Sequence, residues 1–120
     1  MTEEITFEEF QKVDIRVGTI LTAEAVPKSK KLIKLLVDLG QELGTRTILA
    51  GLAPVWNPIE LEHMRVLVVT NLAPRNMMGI ESHGMLLAVD TPAETGNRAL
   101  PREFALVEAP RYSVPGGRVG

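Results

Sequence analysis

The sequence predicts an all-β domain, a small barrel of five strands with short helices, and three observations carry this. Apolar and polar residues alternate with a period of two from Lys12 and again from Ile33. The strand-like runs are short and broken by Pro27, Gly40, Gly44 and Pro58. Only two brief segments open with a helix-start pattern. A chain of 120 residues holds one core, and its 45% apolar and 23% charged composition is that of an ordered globular domain.

The elements follow in order. Thr6-Phe7-Glu8-Glu9 has the capping-box spacing, which predicts a short helix with Phe7 and Phe10 on one face. From Lys12, the residues Val13, Ile15, Val17, Thr19 and Leu21 form the inward set of a first strand, and Gly18 marks an expected bulge or sharp coil. Pro27 ends it, and Lys28-Ser29-Lys30-Lys31 connects to a second strand with Ile33, Leu35, Val37 and Leu39 facing inward. Residues 40–44 read as a turn and residues 45–50 as a third strand. Asn57 before Pro58 predicts a helix to about Glu62. Val66 to Thr70 is an apolar run suited to a covered strand, residues 71–82 read as a loop, and residues 84–90 as the fifth strand. Five strands with a helix between the third and fourth match the strand order of an OB-fold barrel, placed at about 12–90.

Residues 91–120 fall outside that count. They hold Pro92, Pro101, Pro110 and Pro115, together with Phe104, Leu106, Val107, Tyr112 and Val114. So apolar a tail either packs back on the barrel or meets a second subunit. A five-stranded barrel of this size offers it little internal room, so a C-terminal dimerisation extension and a homodimer are expected.

Several function classes drop out. Without cysteine there is no disulfide, thiolate nucleophile or zinc knuckle, and a reducing cytoplasm suits such a chain. No apolar run reaches the ~20 residues of a membrane span, and no leader pattern opens the chain. His63 and His83 stand apart, without metalloprotease spacing or a serine elbow. Glu60 and Glu62, two apart on a helix, point to different faces. Gly116-Gly117 lacks the third glycine and following helix of a phosphate cradle. Neither catalysis nor a cofactor or metal is expected.

Charge carries the sharper signal. The net charge is −2, but residues 11–34 hold Lys12, Arg16, Lys28, Lys30, Lys31 and Lys34 against only Asp14 and Glu24. A local field of this kind steers a polyanion whatever the bulk charge. Two readings of the lysines are open: a merely solvated edge, or phosphate contacts from the OB-fold loop that borders the nucleic-acid face, with Arg16 on the adjacent wet face. The loop at 71–82 adds Asn71, Arg75, Asn76 and Ser82, and Met77-Met78 either fills space beneath it or offers one side chain to a ligand. Stretches 12–52 and 65–90 contain no Phe, Tyr or Trp, so a stacking platform for an extended strand is not expected. A folded RNA read by backbone shape fits better.

Four segments also carry a family resemblance: residues 10–20 (FQKVDIRVGTI), 27–32 (PKSKKL), 66–72 and 78–87 (MGIESHGMLL). Together they closely resemble the tRNA-binding domain found as the C-terminal module of methionyl-tRNA synthetase, in free-standing structure-specific tRNA-binding proteins and in tRNA-binding cytokines. The resemblance runs from about Phe7 to Val119. It implies an OB-fold barrel, often dimeric through the tail, that binds tRNA by overall shape, without catalysis, on its own or beside an aminoacyl-tRNA synthetase in the cytoplasm. The residues it favours are Lys28, Ser29, Lys30, Lys31 and Lys34, then Asn71, Arg75, Met78 and Ser82. Asn76 stands where the family commonly has lysine, which removes one positive charge and implies modest affinity, and His83 stands where it commonly has glutamine. The same superfamily includes a dimeric secretion chaperone for unfolded export proteins, whose loop is less basic. A third reading is a structural appendix cut from a synthetase; the initial Met1 and the self-contained end count against it.

Overall fold

The computed structural model describes residues 2–53, 56–90 and 104–120. Helix α1 (Phe7–Gln11) begins as its sequence dictates: Thr6 Oγ1 accepts the Glu9 N–H and the Glu9 carboxylate accepts the Thr6 N–H, each at 3.1 Å. Strand β1 (Ile15–Ala25) is the backbone of the fold. It pairs antiparallel with β2 (Ile33–Asp38) along its second half and with β4 (Arg65–Val69) along its first. Strand β3 (Thr45–Ala50) extends the sheet beyond β2, and β7 (Met85–Leu86) extends it beyond β4. The order β3-β2-β1-β4-β7 is a curled five-stranded antiparallel half-barrel of OB-fold type. The helix α3 (Pro58–Leu61) falls between the third and fourth strands, as its Asn-Pro start requires.

The core is one cluster on the concave side. Ile20, Ile33, Leu35, Val37, Leu39, Ile48, Leu61, Val66 and Val68 are all fully buried. The alternation of β2 is thus as expected. That of β1 is not: Gly18 and Ile20 face the core. Val17 is also buried, because the tail covers the opposite side, with Gly116 and Gly117 exchanging backbone hydrogen bonds with Val17 at 2.8 Å. A strand covered on both faces loses the polar–apolar contrast from which phase is read. The bulge lies at Leu21, not Gly18, since Ile20 opposes Val37 and Thr22 opposes Leu36. Gly18 serves close packing instead: a Cβ there would stand 2.6 Å from Val37 Cγ1.

Three further expectations change. Residues 40–44 contain a one-turn helix, α2 (Gly40–Leu43), closed by a Gly44 N–H to Gly40 carbonyl bond of 2.7 Å. The 71–82 loop contains a hairpin, β5 (Arg75–Met77) and β6 (Ile80–Ser82). The segment read as the fifth strand divides into β7 and β8 (Ala88–Asp90) around Leu87.

The tail packs back on the barrel. Strand β9 (Phe104–Leu106) pairs with β8, Glu108 bridges to Val66, and β10 (Arg118–Val119) pairs with the start of β1. Leu106 packs against the core. Pro92 and Pro101 lie outside the described residues. Tyr112 and Val114, however, remain exposed.

Candidate nucleic-acid interface

The lysine loop springs from the last residue pair of the β1–β2 ladder, Ala25 opposite Ile33. Pro27 fixes the turn, and Ser29 N–H closes it on the Val26 carbonyl at 3.1 Å. Lys28 then occupies the third turn position with φ 68°, a left-handed conformation usually left to glycine or asparagine. The Ser29 hydroxyl accepts the backbone N–H of Leu32 at 3.0 Å and of Lys31 at 3.3 Å. Ser29 therefore organises the loop from within. Lys28, Lys30 and Lys31 are exposed, and no described carboxylate lies within ion-pair distance of them. Lys34 differs, pairing with Glu24 at 3.6 Å.

Strand β3 links this loop to the hairpin. Its Leu49 stands opposite Lys34 and donates its N–H to Ser82 Oγ at 2.9 Å. Ser82 is buried, so it ties the hairpin to the barrel and offers no hydroxyl to solvent. Arg75 is exposed on β5. Met78 and Gly79 form the two-residue turn, with φ 55° and 79°, and Met78 is left 54% exposed at the tip. Met77 is half-buried, so the two methionines divide between filling and presentation.

Two sequence-selected residues lie elsewhere. Asn71 accepts the Asp14 N–H at 2.9 Å and donates to the Lys12 carbonyl, fastening the end of β4 to the entry of β1. Arg16 sits near the start of β1, nine residues before the loop begins, or about 30 Å of extended strand. Its guanidinium pairs with Asp14 at 3.0 Å and Glu42 at 3.4 Å and donates to the Gly116 carbonyl at 3.2 Å. The Asp14 carboxylate lies below the usual carboxylate range, chiefly through the hydrogen bond from Thr70 and then through Arg16 and Arg118, against the opposing effect of burial. Arg16 is raised by the same bond to Asp14.

Two neighbours escape a reading of sequence alone. Arg46 on β3 donates to the Thr70 carbonyl at 2.6 Å and approaches His83 Nε2 at 3.4 Å, between the hairpin and the end of β4. Trp56 packs against the core while remaining partly exposed, close to the lysine loop, which the Ala53 N–H holds through the Lys31 carbonyl at 3.0 Å. The pairing of Ala53 with Lys31 is a contact across 22 residues with no local pattern to announce it.

Comparison with known proteins agrees with this geometry. Residues 15–116 match the family described as "Putative tRNA binding domain". A methionine–tRNA ligase of Archaeoglobus fulgidus is 53% identical over 88 residues, 73% of this chain and 13% of that protein. One from Chloroherpeton thalassium is 47% identical over 106 residues, 88% of this chain and 15% of that protein. The chain thus spans about an eighth to a seventh of the length of these relatives. Among solved structures, a MetRS-related protein from Pyrococcus horikoshii superposes with a TM-score of 0.85 at 35% identity, covering 99% of this chain and 100% of that one. The chaperone CsaA of Bacillus anthracis superposes with a TM-score of 0.82 at 25% identity, covering 98% and 100%. With a family match over most of its length and an antiparallel half-barrel to carry it, the chain belongs to the tRNA-binding domain family.

Proposed function

We propose that this protein binds folded tRNA without catalysis, through the lysine loop as a phosphate-contacting edge, with Arg75 and Met78 on the neighbouring hairpin. The observation that carries the reading is the loop itself: three exposed lysines with no ion-pair partner among the described residues, on a backbone already ordered by Pro27 and Ser29. Such preorganisation lowers the entropy lost on binding. Lys34 joins by exchanging Glu24 for a phosphate, since an exposed ion pair is worth only ~0–1 kcal/mol. Ser29, Asn71, Ser82 and Arg16 act by holding the surface in place. Phosphate contacts position a ligand without reading its sequence, so the interface selects a shape.

The same proposal includes a homodimer and a cytoplasmic setting, alone or beside an aminoacyl-tRNA synthetase. The dimer is supported by apolar side chains left exposed where α1 meets β10: Phe7, Phe10, Val13 and Val119. A second reading, capture of unfolded polypeptide, is favoured by the likeness to CsaA and by exposed Leu72, Met78 and Met85. Electrophoretic mobility with bulk tRNA, duplex RNA and an unfolded polypeptide separates the two. The quadruple variant Lys28→Ala, Lys30→Ala, Lys31→Ala, Lys34→Ala should lose tRNA at about 150 mM salt. Equal binding by that variant would end the tRNA reading.

A further inference from the structure

We infer that the cleft at the root of the lysine loop seats one unstacked nucleobase of the bound RNA against Trp56. The inference rests on the proposed RNA reading of that loop and adds a base-contacting site to it.

The cleft is an open depression of about 420 Å³ lined by Ala25, Ile33, Ala53, Trp56, Asn57, Pro58 and Glu60. That volume lies within the range of small-ligand sites, roughly 300–1,000 Å³. Its position gives it meaning. Ala25 and Ile33 are the two residues from which the lysine loop departs and to which it returns. Ala53, on the facing wall, holds Lys31 through its carbonyl. A nucleic acid whose phosphates lie along Lys28, Lys30 and Lys31 therefore passes over this cleft.

The chemistry of the walls selects the part of the nucleotide that enters. Ala25, Ile33, Ala53, Pro58 and the Trp56 indole give one apolar side of the lining, Asn57 and Glu60 the polar side, and Ile59 beside it is 76% exposed. The Glu60 carboxylate, which accepts the Asn57 N–H at 2.8 Å, disfavours a phosphate on electrostatic grounds. A neutral aromatic ring suits an apolar wall beside a carboxylate better than a phosphate does. Bases splayed from folded RNA are commonly stacked on aromatic side chains in this way. Phe7 and Phe10 lie on α1 beside β10, at the tail-covered end of β1, and Tyr112 lies in the tail, so Trp56 is the aromatic the described structure brings to the basic loop.

Trp56 is the protein's single tryptophan, so its emission reports on this cleft alone. The experiment titrates the full chain with tRNA and, separately, with inorganic polyphosphate, an anion that can engage the lysines but has no base. Polarisation of labelled ligand follows binding in parallel. Bound tRNA should quench Trp56 emission strongly, while bound polyphosphate should leave it nearly unchanged. Trp56→Ala should weaken tRNA roughly 5- to 150-fold with an unchanged salt slope, whereas polyphosphate affinity stays constant. Trp56→Phe, which keeps a stacking face, should recover most of the loss and covers the case in which the alanine variant unfolds. Quenching by both ligands alike, or tRNA bound without quenching, would overturn the inference while leaving the lysine loop as an RNA site. Absence of any tRNA binding would instead remove the functional reading, and this inference with it.

Discussion

Glu24 is the residue whose removal tests the interface most sharply. Its carboxylate lies 3.6 Å from Lys34 Nζ, on side chains 69% and 42% exposed. A phosphate reaching Lys34 must displace that carboxylate and tolerate its charge nearby. At ~7 Å in water the repulsion is about 0.6 kcal/mol, reduced to about 0.3 by physiological salt. Adding the ~0–1 kcal/mol cost of breaking an exposed pair, Glu24→Gln should strengthen tRNA binding by about 0.3–1.3 kcal/mol, or roughly 2- to 9-fold. Three unpaired lysines predict a slope of log affinity against log salt of about −2.1 to −2.7, and a fully engaged fourth steepens it by about 0.7–0.9. Between about 50 and 200 mM salt, a slope near −3 lowers affinity roughly 60-fold. Polarisation of labelled tRNA across that range measures both quantities. Weaker binding by Glu24→Gln, or a parental slope shallower than about −1, would refute the assignment of phosphates to this loop.

Other outcomes follow from the scaffold. Gly18→Ala should lower stability by about 1–3 kcal/mol, read as a melting shift of several degrees, because the new methyl meets fully buried Val37, Leu39 and Val68. Asp14→Asn should destabilise the protein at neutral pH. Because the folded Asp14 pKa is depressed, its contribution is present above the unfolded value near ~3.9 and fades as pH falls through the folded one, so melting curves of parent and variant should converge below about pH 4. Light scattering at micromolar concentration should report about twice 13.1 kDa, and Phe7→Ser with Phe10→Ser should halve it; a parental mass of one chain would exclude the dimer.

What was legible in the sequence was whatever depends on near neighbours. The Thr6 box, the Asn57-Pro58 start, the alternation of β2 and the third strand all rest on contacts a few residues apart. The phase of β1 failed because Val17, opposite in phase to Gly18 and Ile20, is buried by a tail 100 residues away, visible in the paired backbone bonds between Val17 and Gly116–Gly117. The hairpin within 71–82 was missed for a different reason: its turn residues, Met78-Gly79, lack the Asn-Gly or Asp-Gly pair that signals such a turn. Among the candidate site residues, the lysines stand out in the sequence as a run of charge. Composition does not separate their exposed positions from that of Ser82, which is buried, or from Asn71, which is a tie between chain segments.

The arginines explain why the positive field belongs to the lysines. Arg16 serves Asp14, Glu42 and the Gly116 carbonyl, and Arg118 reaches Asp14 and the Gln11 carbonyl. Arg46 holds the Thr70 carbonyl and Arg65 the Arg111 carbonyl, each at 2.6 Å. Each of these four joins segments distant in sequence, and the planar guanidinium suits that work because it directs several donors at fixed angles. A lysine carries one compact, hydrated charge on a flexible stem, better matched to phosphates whose positions vary between RNAs. With these four arginines engaged in holding the tail and the β4 end, Lys28, Lys30 and Lys31 stand at the other end of β1 with no described carboxylate in ion-pair reach. A chain of net charge −2 can therefore present a basic edge without a basic composition. It follows that loosening the tail would free Arg16 and Arg118 and blur this charge separation, on which the proposed docking of RNA at the loop depends.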